Sequence, residues 1–383
     1  MADVDSDDAR RVEVSFIDLA AQRDRLGDRI ERAIAAVLDH RRFILGPEVT
    51  RLEQQLCAFS GAEHAITCAN GTDALVLALM ALEIGPGDAV LVPSFTFCAS
   101  AESVVLVGAT PVFVDVREDT FNVDADGLAA AFDAARANGL SPRAVMSVDL
   151  FGQPADYEAL WDFCHAHELT LIDDAAQSFG GSHRGVRVGR LATVTTTSFF
   201  PSKPFGCYGD GGAVFTDDDR LAEIFLSLRV HGKGTNKYDN VRIGMNSRLD
   251  SLQAAILIEK LSIFEDELAA RQVVAARYEA GLRDAVVTPG VIEDVVSAWA
   301  LYTIRILNGR REAVRTALAD LGIPSVVYYP RPLHLQTAYT GFPTAHDLRV
   351  AERLSDEVLS IPMHPYVAPA VQDAIIEAIR AQV

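Results

Sequence analysis

Cysteine is scarce in this chain. Five thiols, Cys57, Cys68, Cys98, Cys164 and Cys207, are scattered through 383 residues. They are odd in number and form no Cys-x-x-Cys pair, which argues against a disulfide framework and against a zinc site, so no metal is expected. Buried thiols in a reducing compartment are the simple account. Long apolar runs are also missing. The longest helical one, Ala74 to Leu82, is too short to span a bilayer. No basic region leads into an apolar one, so no signal peptide is expected. Positive charge is in deficit: 34 Lys and Arg face 53 Asp and Glu, for a net charge of -19. That balance speaks against nucleic acid or an anionic membrane surface as a partner and fits a cytoplasmic protein. No Gly-x-Gly-x-x-Gly follows the first strand, which weakens a nucleotide-dependent oxidoreductase.

What is present is a large apolar fraction, 49% of the residues. A chain of this length and composition folds as a globule of two domains. The acidic start, residues 1–14, reads as a disordered tail. Residues 15–265 read as a large α/β domain and residues 266–383 as a smaller α+β domain. Ile17 to Leu38 has helical spacing. From Ala65 onward, short apolar runs alternate with helical patterns: Ala65–Ala69, Ala89–Val92, Pro111–Asp115, Ala144–Val148 and Leu169–Ile172 are strands. Such alternation means a mostly parallel central sheet with helices on both faces. A long helix from Asp250 to about Leu282 reads as a connector. Beyond it, Ala300–Ile306 and Ser325–Tyr329 read as strands among helices.

In a parallel sheet ligands bind beyond the carboxyl ends of the strands. Several stretches with chemistry fall there. Asn70-Gly-Thr-Asp73 precedes a helix apolar on nearly every side. It suits phosphate binding by free N–H groups, or is an ordinary helix start capped by Thr72 or Asp73. Asp173-Asp174 puts two acids at a buried strand end, which is costly unless they are paired. One of them either caps the next segment or pairs with a protonated ring nitrogen. Lys203 stands in Thr195–Gly212, at the mouth of a glycine-rich turn. A lone loop lysine is solvated by default. One held among apolar groups has a lowered pKa and can form a Schiff base with a carbonyl.

Taken in order, the stretches Asn70-Gly-Thr-Asp-Ala-Leu75, Pro93-Ser-Phe-Thr-Phe97, Gly152-Gln-Pro-Ala-Asp156, Asp174-Ala-Ala-Gln177, Ser198-Phe-Phe-Pro-Ser-Lys203 with Gly209-Asp-Gly-Gly212, Asn246-Ser-Arg-Leu-Asp250 with Gln253-Ala-Ala255, and Pro362-Met-His-Pro365 resemble the DegT/DnrJ/EryC1/StrS sugar aminotransferases. These are fold type I enzymes that use pyridoxal 5'-phosphate. The resemblance implies that Lys203 is the Schiff-base lysine and proton shuttle, and that Asp174 partners the ring nitrogen with Asp173 behind it. It also implies that Gln177 hydrogen-bonds the phenolic oxygen and that Phe97 stacks on the ring. Gly71, Thr72 and Asp73, with Ser198, resemble the phosphate holders. Asn246 resembles a residue that reaches the phosphate from a neighbouring subunit, so a homodimer with shared sites is implied.

The same resemblance implies glutamate as amino donor and a keto sugar linked to a nucleotide as acceptor. Phe16-Ile-Asp-Leu19, Ile44–Val49 and Asn246–Asp250 look closest to the branch acting at C3 of UDP-2-acetamido-3-keto-glucuronic acid. There Arg248 would hold the C6 carboxylate, and Tyr329 and His334 would contact substrate. His231, Lys233, Lys237 and Arg331 are further candidates for the diphosphate. Tyr328-Tyr-Pro330 departs from the His-Tyr-Pro common in that branch. Enzymes acting on dTDP-linked 3-keto-6-deoxy sugars share the Asn-Ser-Arg stretch and are the rival reading. A sugar dehydratase would replace the lysine with histidine. A non-catalytic regulator need not keep lysine, acid and glutamine together.

Overall fold

A computed structural model of the protein describes residues 12–236 and 238–383. Residues 1–11 of the expected tail, and Lys237, lie outside the described residues. Among the described residues twelve strands occur in chain order: β1 (His64–Cys68), β2 (Asp88–Pro93), β3 (Thr110–Val114), β4 (Ser141–Val148), β5 (Thr170–Asp174), β6 (Ser182–His183), β7 (Val186–Arg187), β8 (Val194–Ser198), β9 (Gly212–Thr216), β10 (Val295–Val296), β11 (Tyr302–Arg305) and β12 (Val358–Ile361). The central sheet has seven strands in the order β1-β9-β8-β5-β4-β2-β3. β8, β5, β4, β2 and β3 pair in parallel, and β9 runs antiparallel to both its neighbours. This is the mostly parallel α/β sheet expected, and β8 brings the Lys203 loop to the same edge as the other strand ends.

Two-residue periodicity divides the strand side chains between two cores. Val90, Val92, Met146 and Ile172 face the apolar helix Gly71–Ala81 and the helix Asp219–Leu228. Ala89, Leu91, Val145 and Leu171 face the helices Leu128–Ala137 and Tyr157–His167. Both faces are covered, which is why the strands read as continuous apolar runs.

The 32-residue helix Ser251–Leu282 joins two further cores. Its first half packs Leu257, Ile258 and Phe264 against Phe199, Phe205 and Phe215. Its second half packs Val274, Tyr278 and Leu282 around the β11–β12 pair. The division expected between residues 265 and 266 falls inside this helix. No described helix is long and apolar enough to cross a membrane.

Two expectations are corrected. The helix expected from Ile17 to Leu38 is two helices, Leu19–Leu26 and Arg29–His40. They part at Gly27, which takes φ +58°, a conformation that closes the first helix at little cost only for glycine. Ser325–Tyr329 is not a strand. Its β-branched and aromatic residues suit one, but only Val326 pairs, exchanging hydrogen bonds with Ser360 at 3.0 and 2.8 Å. The chain then turns to lay Tyr328 and Tyr329 against a cleft.

Candidate active site

A cleft of about 810 Å³ opens where the parallel strands end. One wall is the turn from β1 into the helix Gly71–Ala81. Asn70 caps that helix: its Oδ1 accepts the Asp73 N–H at 2.8 Å. Gly71 and Thr72 line the cleft, whereas Asp73 does not. The Asp73 N–H is therefore already engaged within the chain. A Cβ on Gly71 would lie 2.7 Å from the Ser198 Cβ, so the helix start rests directly on the end of β8. Gly212, paired between Cys68 and Ser198, likewise leaves room for the Asn70 carbonyl, which a Cβ there would meet at 2.5 Å.

The floor holds buried carboxyl groups. Asp174 ends β5 and lines the cleft. Its Oδ2 accepts from Ser100 Oγ at 2.7 Å and its Oδ1 from the Ala176 N–H at 3.3 Å. Burial raises its pKa, while Ser100, Ala176 and the Lys203 amine oppose the rise. Asp173 precedes it on the same strand and so points to the other face. There Thr195 Oγ1 donates to its Oδ2 at 3.2 Å, and its Oδ1 has no hydrogen-bond partner. Beside it Asp149 accepts from the Ala155 N–H, the Tyr157 hydroxyl and the Ser178 hydroxyl at 2.8, 3.0 and 2.8 Å. Burial pushes the Asp149 pKa up to about 7 against its three donors, and raises that of Asp173 further, so Asp173 is the better neutral acid of the two. Asp149, Tyr157 and Ser100 escaped the sequence reading. Only their burial beside Asp173 and Asp174 marks them, and that depends on contacts between distant segments.

Lys203 opens to the cleft and is otherwise enclosed by protein. Burial lowers its pKa, and Asp174 pulls the other way. The loop that carries it is tightly held. Phe199 N–H donates to the Gly211 carbonyl at 2.7 Å and Cys207 N–H to the Phe199 carbonyl at 2.8 Å. From the long helix, Lys260 Nζ donates to the Gly206 carbonyl at 2.7 Å and sits 4.2 Å from the centre of the Tyr208 ring. Gln253 accepts the Tyr208 N–H at 3.0 Å. Among the described residues no carboxylate lies within ion-pair reach of Lys260, and burial pushes its pKa down to about 8.

Gln177 is fixed from behind. Its Oε1 accepts the Phe151 N–H at 2.6 Å, which leaves its amide N–H₂ facing the cleft, 3.4 Å from the Tyr329 hydroxyl. Phe97 is 55% exposed, a high value for a ring in a walled cleft. Tyr329 lies against it with ring centres 6.4 Å apart.

Three expected residues lie elsewhere in this chain. Both ring nitrogens of His334 are occupied: Nδ1 lies 2.6 Å from Ser94 Oγ and Nε2 lies 3.2 Å from Glu352. His334 is not among the cleft residues. Asn246 is exposed and Arg248 half-buried, and neither lines the cleft. Arg248 Nε is buried without a partner. Between them Ser247 Oγ accepts the Ala69 N–H at 3.2 Å, tying their segment to the turn that begins at Asn70. Among the described residues that line the cleft, Lys203 is the one cationic side chain.

The family model for DegT/DnrJ/EryC1/StrS aminotransferases matches residues 24–380. The UDP-2-acetamido-2-deoxy-3-oxo-D-glucuronate aminotransferase of Pseudomonas aeruginosa is 47% identical over 360 residues, covering 93% of this chain and 97% of its own. The dTDP-3-amino-3,4,6-trideoxy-alpha-D-glucose transaminase of Streptomyces venezuelae is 39% identical over 370 residues, covering 96% of this chain and 95% of its own. The crystal structure of a DegT DnrJ EryC1 StrS aminotransferase from Brucella abortus matches with a TM-score of 0.94 at 51% identity, over 96% of this chain and 99% of that one. The chain belongs to the DegT/DnrJ/EryC1/StrS family of pyridoxal phosphate-dependent sugar aminotransferases.

Proposed function

We propose that the enzyme moves an amino group from glutamate to the C3 ketone of UDP-2-acetamido-3-keto-glucuronic acid, in the cytoplasm and as a homodimer. The observation that carries the chemistry is the meeting of Asp174 and the Lys203 amine in one cleft beside an open helix start. The substrate reading rests on the 47% identity to the Pseudomonas aeruginosa aminotransferase. All five cysteines are free, which fits a reducing compartment.

The donor set fits pyridoxal phosphate. Gly71 and Thr72 open a helix whose positive end favours a phosphate, and Ser198 adds a hydroxyl beside them. Asp174, held by Ser100, presents a carboxylate that keeps a proton on a ring nitrogen. The Gln177 amide would donate to a phenolic oxygen. The exposed Phe97 ring would pack against the bound ring, and the aromatic side chains about it would exclude water. When bound, the cofactor supplies a carbonyl carbon for the nitrogen and a protonated ring that accepts an electron pair. Lys203 would supply the amine that anchors it and would then hold and release a proton at its Nζ. A lowered pKa leaves more of that amine unprotonated at neutral pH, as a base must be.

A diphosphate, a uronic acid and an amino acid all bring negative charge, and one lysine does not balance it. The missing positive charge and polar contacts would come from a second copy. Asn246 and Arg248, outside this chain's own cleft, are the residues proposed to cross. The purified enzyme should absorb visible light from bound cofactor, and borohydride should fix that cofactor to Lys203. Lys203→Ala should not form the adduct and should lose at least about 10³-fold in turnover. A wild-type protein that takes up no pyridoxal phosphate would sink the proposal.

A further inference from the structure

Two features have no part in the chemistry above: the Pro362-Met-His-Pro365 motif and the segment of residues 12–18. The fold brings them together at the cleft. His364 is 2% exposed. Its Nδ1 accepts the Tyr366 N–H at 3.3 Å, and its Nε2 lies 3.1 Å from the Ser15 carbonyl oxygen. An acceptor at Nδ1 assigns the ring proton to Nε2, which then donates to Ser15. Burial, and next the Arg271 charge, push the His364 pKa down to about 4, so the ring keeps that neutral form at physiological pH.

The segment is fastened twice more. Val12 N–H donates to the Leu321 carbonyl at 2.8 Å, and Asp18 accepts the Ala21 N–H at 2.9 Å to cap the next helix. Between these ties Phe16 and Ile17 line the Lys203 cleft. The Phe16 ring lies 6.4 Å from that of Tyr328, at 61°. Tyr328 is 5.6 Å from Tyr329, and Tyr329 is 6.4 Å from Phe97. An aromatic wall thus runs from the Phe97 face out to the strap. Such a wall binds extended apolar faces. Glutamate offers only two methylenes between its charges, whereas a pyranose and a nucleobase both present broad faces.

Building on the substrate reading above, we propose that Phe16 and Tyr328 form the subsite for the nucleotide-linked sugar, and that His364 is the positioning residue that holds Phe16 in it. The small amino donor does not use this wall. The two half-reactions of the enzyme therefore separate the subsite from a general structural role.

The test compares Phe16→Ala and His364→Ala holoenzymes in each half-reaction. With glutamate alone, the single-turnover absorbance change should move less than about twofold. With the UDP-linked keto sugar, KM should rise about tenfold, the worth of withdrawing a half-buried aromatic ring from contact, while kcat holds. Calorimetric binding of UDP-N-acetylglucosamine, a probe without the ketone, should weaken by a similar factor. His364→Gln keeps an N–H near Ser15 and should restore both values. His364→Ala empties a buried position, so Phe16→Ala at the cleft surface carries the test should the former not fold. Equal losses in both half-reactions, or an unchanged sugar KM and probe affinity in Phe16→Ala, would overturn the subsite. A wild-type enzyme that takes nitrogen from glutamate yet aminates no nucleotide-linked keto sugar would instead overturn the substrate reading, and the subsite with it.

Discussion

The turn that opens at Asn70 depends on a buried ion pair beside the strand that leads into it. Arg229 Nη1 lies 2.5 Å from Glu53 Oε1, with the two side chains 8% and 17% exposed. The same nitrogen donates to the Thr67 carbonyl at 2.8 Å, and Glu53 accepts the Thr67 N–H and hydroxyl at 3.0 and 2.8 Å. Thr67 is thus clamped at both backbone groups, three residues before Asn70. Arg229→Met keeps much of the volume but strands the Glu53 charge. Breaking a buried pair from one side costs about 3–5 kcal/mol. At about 2 °C per kcal/mol for a large domain, the melting temperature should fall by about 6–10 °C. Glu53→Gln in the same chain removes the stranded charge. The double variant should therefore be more stable than the sum of the single losses by about 1–3 kcal/mol. Scanning calorimetry of wild type, both singles and the double closes the cycle. Cofactor retention should fall with Arg229→Met, because the helix start moves with Thr67. Additive losses, or a single-variant drop under about 2 °C, would refute the argument that this pair bears charge out of water.

The alternation of short apolar runs with helical ones made the sheet legible, and with it the row of strand ends. That Asn70, Asp174 and Lys203 share one cleft follows from the sheet's direction alone. What escaped was the occupancy of individual groups. At the helix start the cap is Asn70, not Thr72 or Asp73: its side chain takes the N–H three residues on, a local signal, and leaves Gly71 and Thr72 at the cleft. As a basic residue His334 is a candidate for contact with an anionic substrate. Its ring is spent on Ser94 and Glu352, residues 240 and 18 positions away. The run Ser325–Tyr329 had strand propensity, and the cleft needed its tyrosines more than the sheet needed its backbone. Asp149 carried no motif, and its weight comes from sitting beside Asp173 and Asp174. For His334 and Asp149 the residue type was visible, and the deciding partner came from a remote segment.

Two further outcomes bear on the site. Arg248→Ala should raise KM for a uronic-acid substrate at least about tenfold more than for a 6-deoxy one, the loss of a charge-assisted fork. Kinetics with UDP-linked and dTDP-linked keto sugars measure it, and equal effects would remove the carboxylate contact. Asp173→Asn tests where the buried proton sits. Asp173 is fully buried, with one oxygen unpartnered, and burial and then Asp149 push its pKa well up. A carboxyl whose pKa is higher in the folded than the unfolded state contributes stability that is complete below the unfolded value, about 4, and lost as pH rises toward the folded one. Asparagine has the shape of the neutral acid and no such slope. The melting temperature of Asp173→Asn relative to wild type should therefore climb by about 2–5 °C between pH 4.5 and 8. A gap that shrinks over that range would mean that Asp173 is ionised and paired. In that case the buried proton of this acid pair would sit on Asp149 instead, whose pKa burial pushes up to about 7.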